Sequence, residues 1–167
     1  MLIHALYRML KACVGIFFNF LNLLLVGNLP PLGCVSVIVQ EQDKYLMIER
    51  PEGGYVFPGG FMRWQEHPAQ TAVREGMEET GLKLNIIELI GCSSNTSSRL
   101  TMMSTLSVVY LAEVVEGELR NSLEGRVSWH DEAGLLERID PKQKGIFEHY
   151  LHYREQSRDV KRFQVEN

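Results

Sequence analysis

The chain of 167 residues is poor in cysteine, and its three cysteines do not pair by spacing. Cys13, Cys34 and Cys92 are odd in number and far apart, with no Cys-x-x-Cys among them. That argues against a disulfide framework or a zinc site and fits a reducing, cytoplasmic compartment. Charge is scarce at the start: residues 1–40 carry only Arg8 and Lys11, which is +2 of a formal net −4 and leaves −6 on the rest. No basic stripe offers a surface to duplex nucleic acid. Proline is missing from Leu82 to Asp140, and no internal repeat or low-complexity tract is visible.

What the chain does have is enough apolar residue, 45% against 23% charged, to bury a core without disulfides or structural metal. Met1 to Val26 has no helix breaker except Gly15, and its polar members His4, Arg8, Lys11, Gly15, Asn19 and Asn22 recur at helical intervals. They form one narrow stripe on an otherwise apolar helix. Three readings compete for residues 1–26. A membrane-surface anchor and a helix buried on protein, in the domain or a dimer, both accept the stripe. A spanning or signal-like segment fits less well, because Ala12 to Val26 gives about 22 Å of helix against roughly 30 Å of hydrocarbon. Residues 1–28 are thus set apart as the N-terminal helix, and 29–32, with Pro30 and Pro31, form a stiff linker.

Residues 33–156 read as one domain. Gly33–Val39 and Tyr45–Glu49 are β-rich and flank a Glu41-Gln42-Asp43 turn, which predicts a hairpin. Tyr55-Val56-Phe57 is a short extended piece, and Pro68 to Thr80 a helix with Pro68 in its first turn and Gly81 as its cap. On that helix Ala69, Ala72, Val73 and Met77 are expected to pack on a sheet. Strands follow over Leu84–Ile90, Leu106–Val115 and Val127–Trp129, with a polar loop at Ser93–Ser98. A short helix over Asp131–Glu137 and a terminal helix from Pro141 to about Gln156 complete an α/β class fold, an α/β/α sandwich. The charged tail, 157–167, lacks an apolar period and is expected to fray.

The densest feature is Arg74-Glu75-Gly76-Met77-Glu78-Glu79. On a helix Glu75, Glu78 and Glu79 share one face, with Glu66 a little upstream. Two carboxylates about 6 Å apart repel by roughly 3 kcal/mol at an effective dielectric near 20, so a crowded site needs a counter-charge. A solvated acidic face is the bland alternative. Pro58-Gly59-Gly60 just upstream lets backbone approach a ligand closely, and oxygen-only donors favour hard cations, Mg²⁺ first and Mn²⁺ second.

Gly60, Glu66, Arg74, Glu75, Glu78, Glu79, Gly81 and Leu82 fall on the signature of the Nudix hydrolases, which this chain resembles over roughly residues 33–152. Gly76 departs from it, standing where an aliphatic residue is usual, so either a neighbour packs closely on it or the helix is loose. The resemblance implies a Nudix-type α/β/α sandwich with a mixed sheet. It also implies metal-dependent hydrolysis of a phosphoanhydride in a nucleoside diphosphate linked to another moiety. By the same analogy Glu75 and Glu79 are the main metal ligands, Glu78 a further one, and a carbonyl of Gly59 or Gly60 completes the set. Arg74 holds the carboxylates and Glu66 fixes the loop. Glu75 and Glu124 are the candidates for activating water. Arg50 could meet a substrate phosphate, and Tyr55, Phe57 and Trp64 could stack on a base or simply fill the core. The partner implied is a nucleotide-type small molecule. A non-catalytic nucleotide-sensing or scaffold module on the same fold is the alternative.

Overall fold

The computed structural model describes residues 2–97 and 99–165, with side chains over 5–97 and 99–157. The order is α1 (Leu2–Leu24), β1 (Leu32–Glu41), β2 (Lys44–Glu49), β3 (Tyr55–Val56), α2 (Pro68–Thr80), β4 (Leu82–Asn95), β5 (Thr105–Gly117), β6 (Arg126–Asp131), α3 (Glu132–Arg138) and α4 (Pro141–Val165). β1 and β2 form the expected hairpin, closed by Gln42 and Asp43 with φ of 47° and 63°. Positive φ at both turn residues matches the twist of the strands, and Asp tolerates it well.

Beyond its turn the hairpin opens. β1 leaves β2 to pair with β5 in parallel, and β5 pairs with β4 antiparallel. β2 pairs instead with β6 along its length and with β3 at its end. The result is a mixed six-stranded sheet. β1 alternates its side chains between the two faces, as pleating requires. Val35, Val37 and Val39 join Leu46, Leu84, Tyr110 and Ala72 of α2 in one layer. Ile38 joins Tyr45, Met47, Leu135 of α3, and Ile146, Phe147 and Tyr150 of α4 in the other. Helices therefore cover both faces, which is the α/β/α sandwich anticipated. Burying a side chain the size of Phe147 contributes about 2–3 kcal/mol.

Several boundaries differ from the sequence expectations. β4 continues through Ser93 and Ser94 to Asn95, where a loop was expected, because β5 supplies a partner for each of those residues. α4 runs past Gln156 to Val165, and residues 166 and 167 of the expected tail lie outside the described ones. On α2, Met77 is exposed rather than packed on the sheet. Gly76 takes the buried position instead: a Cβ there would lie 2.4 Å from Leu84 Cδ1. Close packing by a neighbour is thus the reason for the glycine.

α1 lies on the domain by its polar stripe. Asn19 Nδ2 donates to the carbonyls of Leu100 (2.9 Å) and Met102 (2.7 Å), and Gly15 sits against the Thr101 backbone. Asn22 Oδ1 accepts from Leu29 N and closes the turn after the helix. The opposite face, with Leu6, Met9, Leu10, Ile16, Phe17, Phe20, Leu23 and Leu24, is exposed. Burial of α1 in its own domain is therefore corrected: main-chain carbonyls at 100–102 offered partners for asparagine, not for leucine. Among the described residues no helix is long and apolar enough to cross a membrane.

Candidate active site

The site is built where α2 meets the segment Pro58–Gly60. α2 starts cleanly because His67 caps it: its Nδ1 accepts from Ala69 N and its own N–H reaches the Gln70 side chain. His67 is therefore a helix cap. Gly81 ends the helix in the left-handed conformation, φ 77°. Pro58 O and Gly60 O accept from Val37 N (2.8 Å) and Val35 N (2.9 Å), which straps the glycine turn along β1. Gly59 has φ 153°, and a Cβ there would sit 2.2 Å from Val35 O, so only glycine fits.

That strap aims Gly59 N–H at Glu79, whose Oε2 accepts it at 2.8 Å. Glu79 is only 8% exposed. Burial, with the negative charges of Glu75 and Glu124 adding to it and the Gly59 hydrogen bond and Arg50 opposing, pushes its carboxyl up to about 8. Arg74 gathers the others. Its Nε and Nη2 donate to both oxygens of Glu66 (2.7 and 2.9 Å), Nη1 to Glu75 (2.7 Å) and Glu78 (3.1 Å), and Nη2 also to Phe61 O (3.1 Å). Glu66 further accepts from Arg63 N and Thr71 Oγ1. The Arg74 hydrogen bonds, then that from Arg63 N, hold the Glu66 carboxyl far below the carboxylate range. Arg74 and Glu66 together tie the loop to the helix.

Glu78 is half exposed and shared with Arg63 at 2.9 Å. Because Glu75 and Glu78 turn to Arg74, the three expected ligands do not point at one centre. Among the described residues no three His, Cys, Asp or Glu side chains form a ready-made cation set.

A cavity of about 810 Å³ opens beside these groups, lined by Glu75, Glu78 and Glu79 together with Arg50, Phe57 and Glu124. The size suits a nucleotide-like ligand. Among the described residues Arg50 Nε is buried with no hydrogen-bond partner. Glu124, on the loop between β5 and β6, lines the same cavity. Two residues unforeseen by sequence reasoning also line the cavity: Tyr7 and Lys11 of α1, whose hydroxyl and ammonium both reach Glu124 Oε1. The one signal for Lys11 was its place in the polar stripe; Tyr7 gave none.

The aromatic candidates divide. Tyr55, 3% exposed, packs against the His130 ring (4.0 Å between centroids) and the Arg138 guanidinium (4.5 Å), and burial leaves it no room to stack on a base. Phe57, 2% exposed, reaches the cavity wall but belongs to the core. Trp64 is 91% exposed and outside the cavity lining, neither core nor stacking wall.

Comparison with known proteins accords with this geometry. A NUDIX domain matches residues 30–150. A MutT-like protein of Streptomyces ambofaciens is 33% identical over 115 residues, 66% of this chain and 71% of that protein. An ADP-ribose pyrophosphatase of Methanocaldococcus jannaschii is 27% identical over 130 residues, 75% and 76% of the two chains. The crystal structure of the mutator protein MutT from Bacillus halodurans superposes with a TM-score of 0.61 at 30% identity, covering 72% of this chain and 82% of that one. With the motif carboxylates in place around a cavity, the chain belongs to the Nudix hydrolase family and is a pyrophosphohydrolase of that kind.

Proposed function

We propose that the protein hydrolyses the pyrophosphate link of a nucleoside diphosphate joined to a second moiety, with a divalent cation, Mg²⁺ first, held by Glu75, Glu79 and Glu78. The observation that carries this reading is the Glu79 carboxyl, pushed up by burial and then by its acidic neighbours, beside a cavity that also holds an arginine Nε with no partner among the described residues. A hard cation suits such oxygen-only donors, a set that Glu75 and Glu78 would complete by turning from Arg74. The Gly60 carbonyl already accepts from Val35 N, so Gly59 is the carbonyl assigned to complete the set. When bound, the cation offsets the charge of the diphosphate and supplies Lewis acidity.

The chain's own residues do the rest. Arg50, with its free donor, binds the diphosphate. Arg74 and Glu66 fix the orientation of Glu75 and Glu78. Glu124 takes the proton of the attacking water. Partial burial works against its charge, but the Tyr7 hydroxyl, Lys11 and Arg50 hold its carboxyl below the ordinary value, so it is ionised at neutral pH. Glu75, bound to Arg74, is better placed to orient than to accept. The substrate class agrees with the name of the Methanocaldococcus relative. With all motif carboxylates in place, no observation favours the non-catalytic alternative.

Formation of the nucleoside monophosphate from a panel of ADP-ribose, UDP-glucose and NADH, with and without magnesium, tests the reading. One member is expected to be turned over only with the cation. Glu75→Gln or Glu124→Gln should cost about a hundredfold or more in kcat, and Arg50→Met should raise KM by about tenfold. Cation-independent turnover, or none on any diphosphate, refutes it.

A further inference from the structure

We propose that Tyr7 and Lys11 are positioning residues for Glu124, which makes α1 a working part of the active site. The inference rests on the reading of Glu124 as the proton acceptor. The NUDIX match begins at residue 30, so neither residue belongs to the stretch that the family shares. Both nevertheless line the same cavity as Glu75 and Glu79.

Glu124 stands on the loop between β5 and β6, and its own segment holds it only by main chain: Ser122 Oγ accepts from Glu124 N at 3.2 Å. A glutamate side chain so placed has several rotamers, and a proton acceptor free to swing spends little time in a productive one. α1 supplies the restraint. The Tyr7 hydroxyl donates to Glu124 Oε1, and Lys11 Nζ lies 3.4 Å from the same oxygen. Both donors fall on Oε1, which assigns the proton to Oε2.

The donors are themselves fixed. Tyr7 and Lys11 are one helical turn apart, with the ammonium 4.2 Å from the centroid of the Tyr7 ring. Further along, Asn19 and Gly15 anchor the helix on residues 100–102. The charged groups facing Glu124 are Lys11 from α1, Arg50 beyond β2 and Glu79 from α2, with Tyr7 as the neutral donor. An otherwise ordinary Nudix cleft thus takes part of its wall from a segment outside the domain.

The test uses full-length protein, magnesium and the best substrate of the diphosphate panel. Tyr7→Phe keeps the ring and removes the donor. It is expected to lower kcat about tenfold with KM within twofold, and to move the acid limb of the kcat profile to higher pH, because the ionised Glu124 has lost a hydrogen bond. Lys11→Met should act in the same direction. In a Glu124→Gln background, Tyr7→Phe should cost nothing more, since the residue acts through that carboxylate. A further loss in that background, equal to the loss in wild type, marks a general structural role and overturns the proposal. Wild-type kcat and pH profile for Tyr7→Phe, beside an inactive Glu124→Gln, overturn it alone. Wild-type turnover of Glu124→Gln overturns the proton-acceptor reading and this proposal with it.

Discussion

Replacing Glu79 by glutamine is expected to make the protein more stable and inactive together. In the fold the Glu79 carboxyl is pushed from 4.5 to about 8 by burial and by Glu75 and Glu124. Between those two pH values the native state binds more protons than the unfolded chain, so stability falls as pH rises. At about 1.4 kcal/mol per unit, the loss approaches roughly 4 kcal/mol at pH 8 and is under about 1 kcal/mol at pH 5. A glutamine side chain can still accept from Gly59 N through its oxygen, where the carboxylate now does at 2.8 Å. It carries no charge to bury, although its NH₂ needs a partner, which trims the gain to about 2–4 kcal/mol. For a chain of this length that corresponds to a rise in Tm on the order of 5–10 °C. The measurement is thermal unfolding of wild type and Glu79→Gln in EDTA at pH 5 and pH 8, beside nucleoside monophosphate formation with magnesium. The variant should exceed wild type at pH 8, match it at pH 5, and be inactive. A variant that melts below wild type at pH 8 refutes the argument, because the Gly59 contact would then outweigh the charge.

Two other substitutions probe the frame around that carboxylate. Arg74→Lys keeps the charge but cannot span Glu66, Glu75, Glu78 and Phe61 O together, so the magnesium needed for half-maximal turnover should rise about 10- to 100-fold; an unchanged magnesium titration refutes the role. Gly76→Ala brings a Cβ to 2.4 Å from Leu84 Cδ1 and 2.9 Å from Leu84 Cγ. Overpacking of about 1–3 kcal/mol should exceed the helix gain of about 0.5–1 kcal/mol, lowering Tm by a few degrees, and a higher Tm contradicts the packing account.

The parts of the site that could be read from sequence were those governed by local chemistry. α2 begins at Pro68 and stops before Gly81 because those residues act within one turn of themselves. The clustering of Glu66, Arg74, Glu75, Glu78 and Glu79 follows from helical spacing plus one short loop. What periodicity could not show is which face of a helix the rest of the molecule will meet. α1 displays a polar stripe in either case, and only the carbonyls of residues 100–102, remote in sequence, determine that the stripe turns inward. Tyr7 reaches Glu124 across 117 positions, a contact that composition and spacing near Tyr7 do not announce. Tyr55 was ambiguous for a related reason: an aromatic beside a glycine turn suits a cleft or a core, and packing with His130 and Arg138 puts it in the core. Met77 is exposed where packing on the sheet was expected, and Gly76 is buried beside it because Leu84 of the neighbouring strand occupies the room a side chain at 76 would need.

The strapping of Pro58–Gly60 along β1 has a consequence for tolerance to insertion. Each rung of that ladder is a main-chain bond to Val35 or Val37, so the position of Gly59 N–H, and with it the aim of Glu79, is measured off along β1. An extra residue at the Gln42–Asp43 bend would be absorbed at a loop tip. The same residue added between Val35 and Val37 would swap the inward and outward sides of the strand and carry the glycine turn off its mark. Sequence length in this enzyme is therefore negotiable at the bend and fixed within the strand that serves as the gauge.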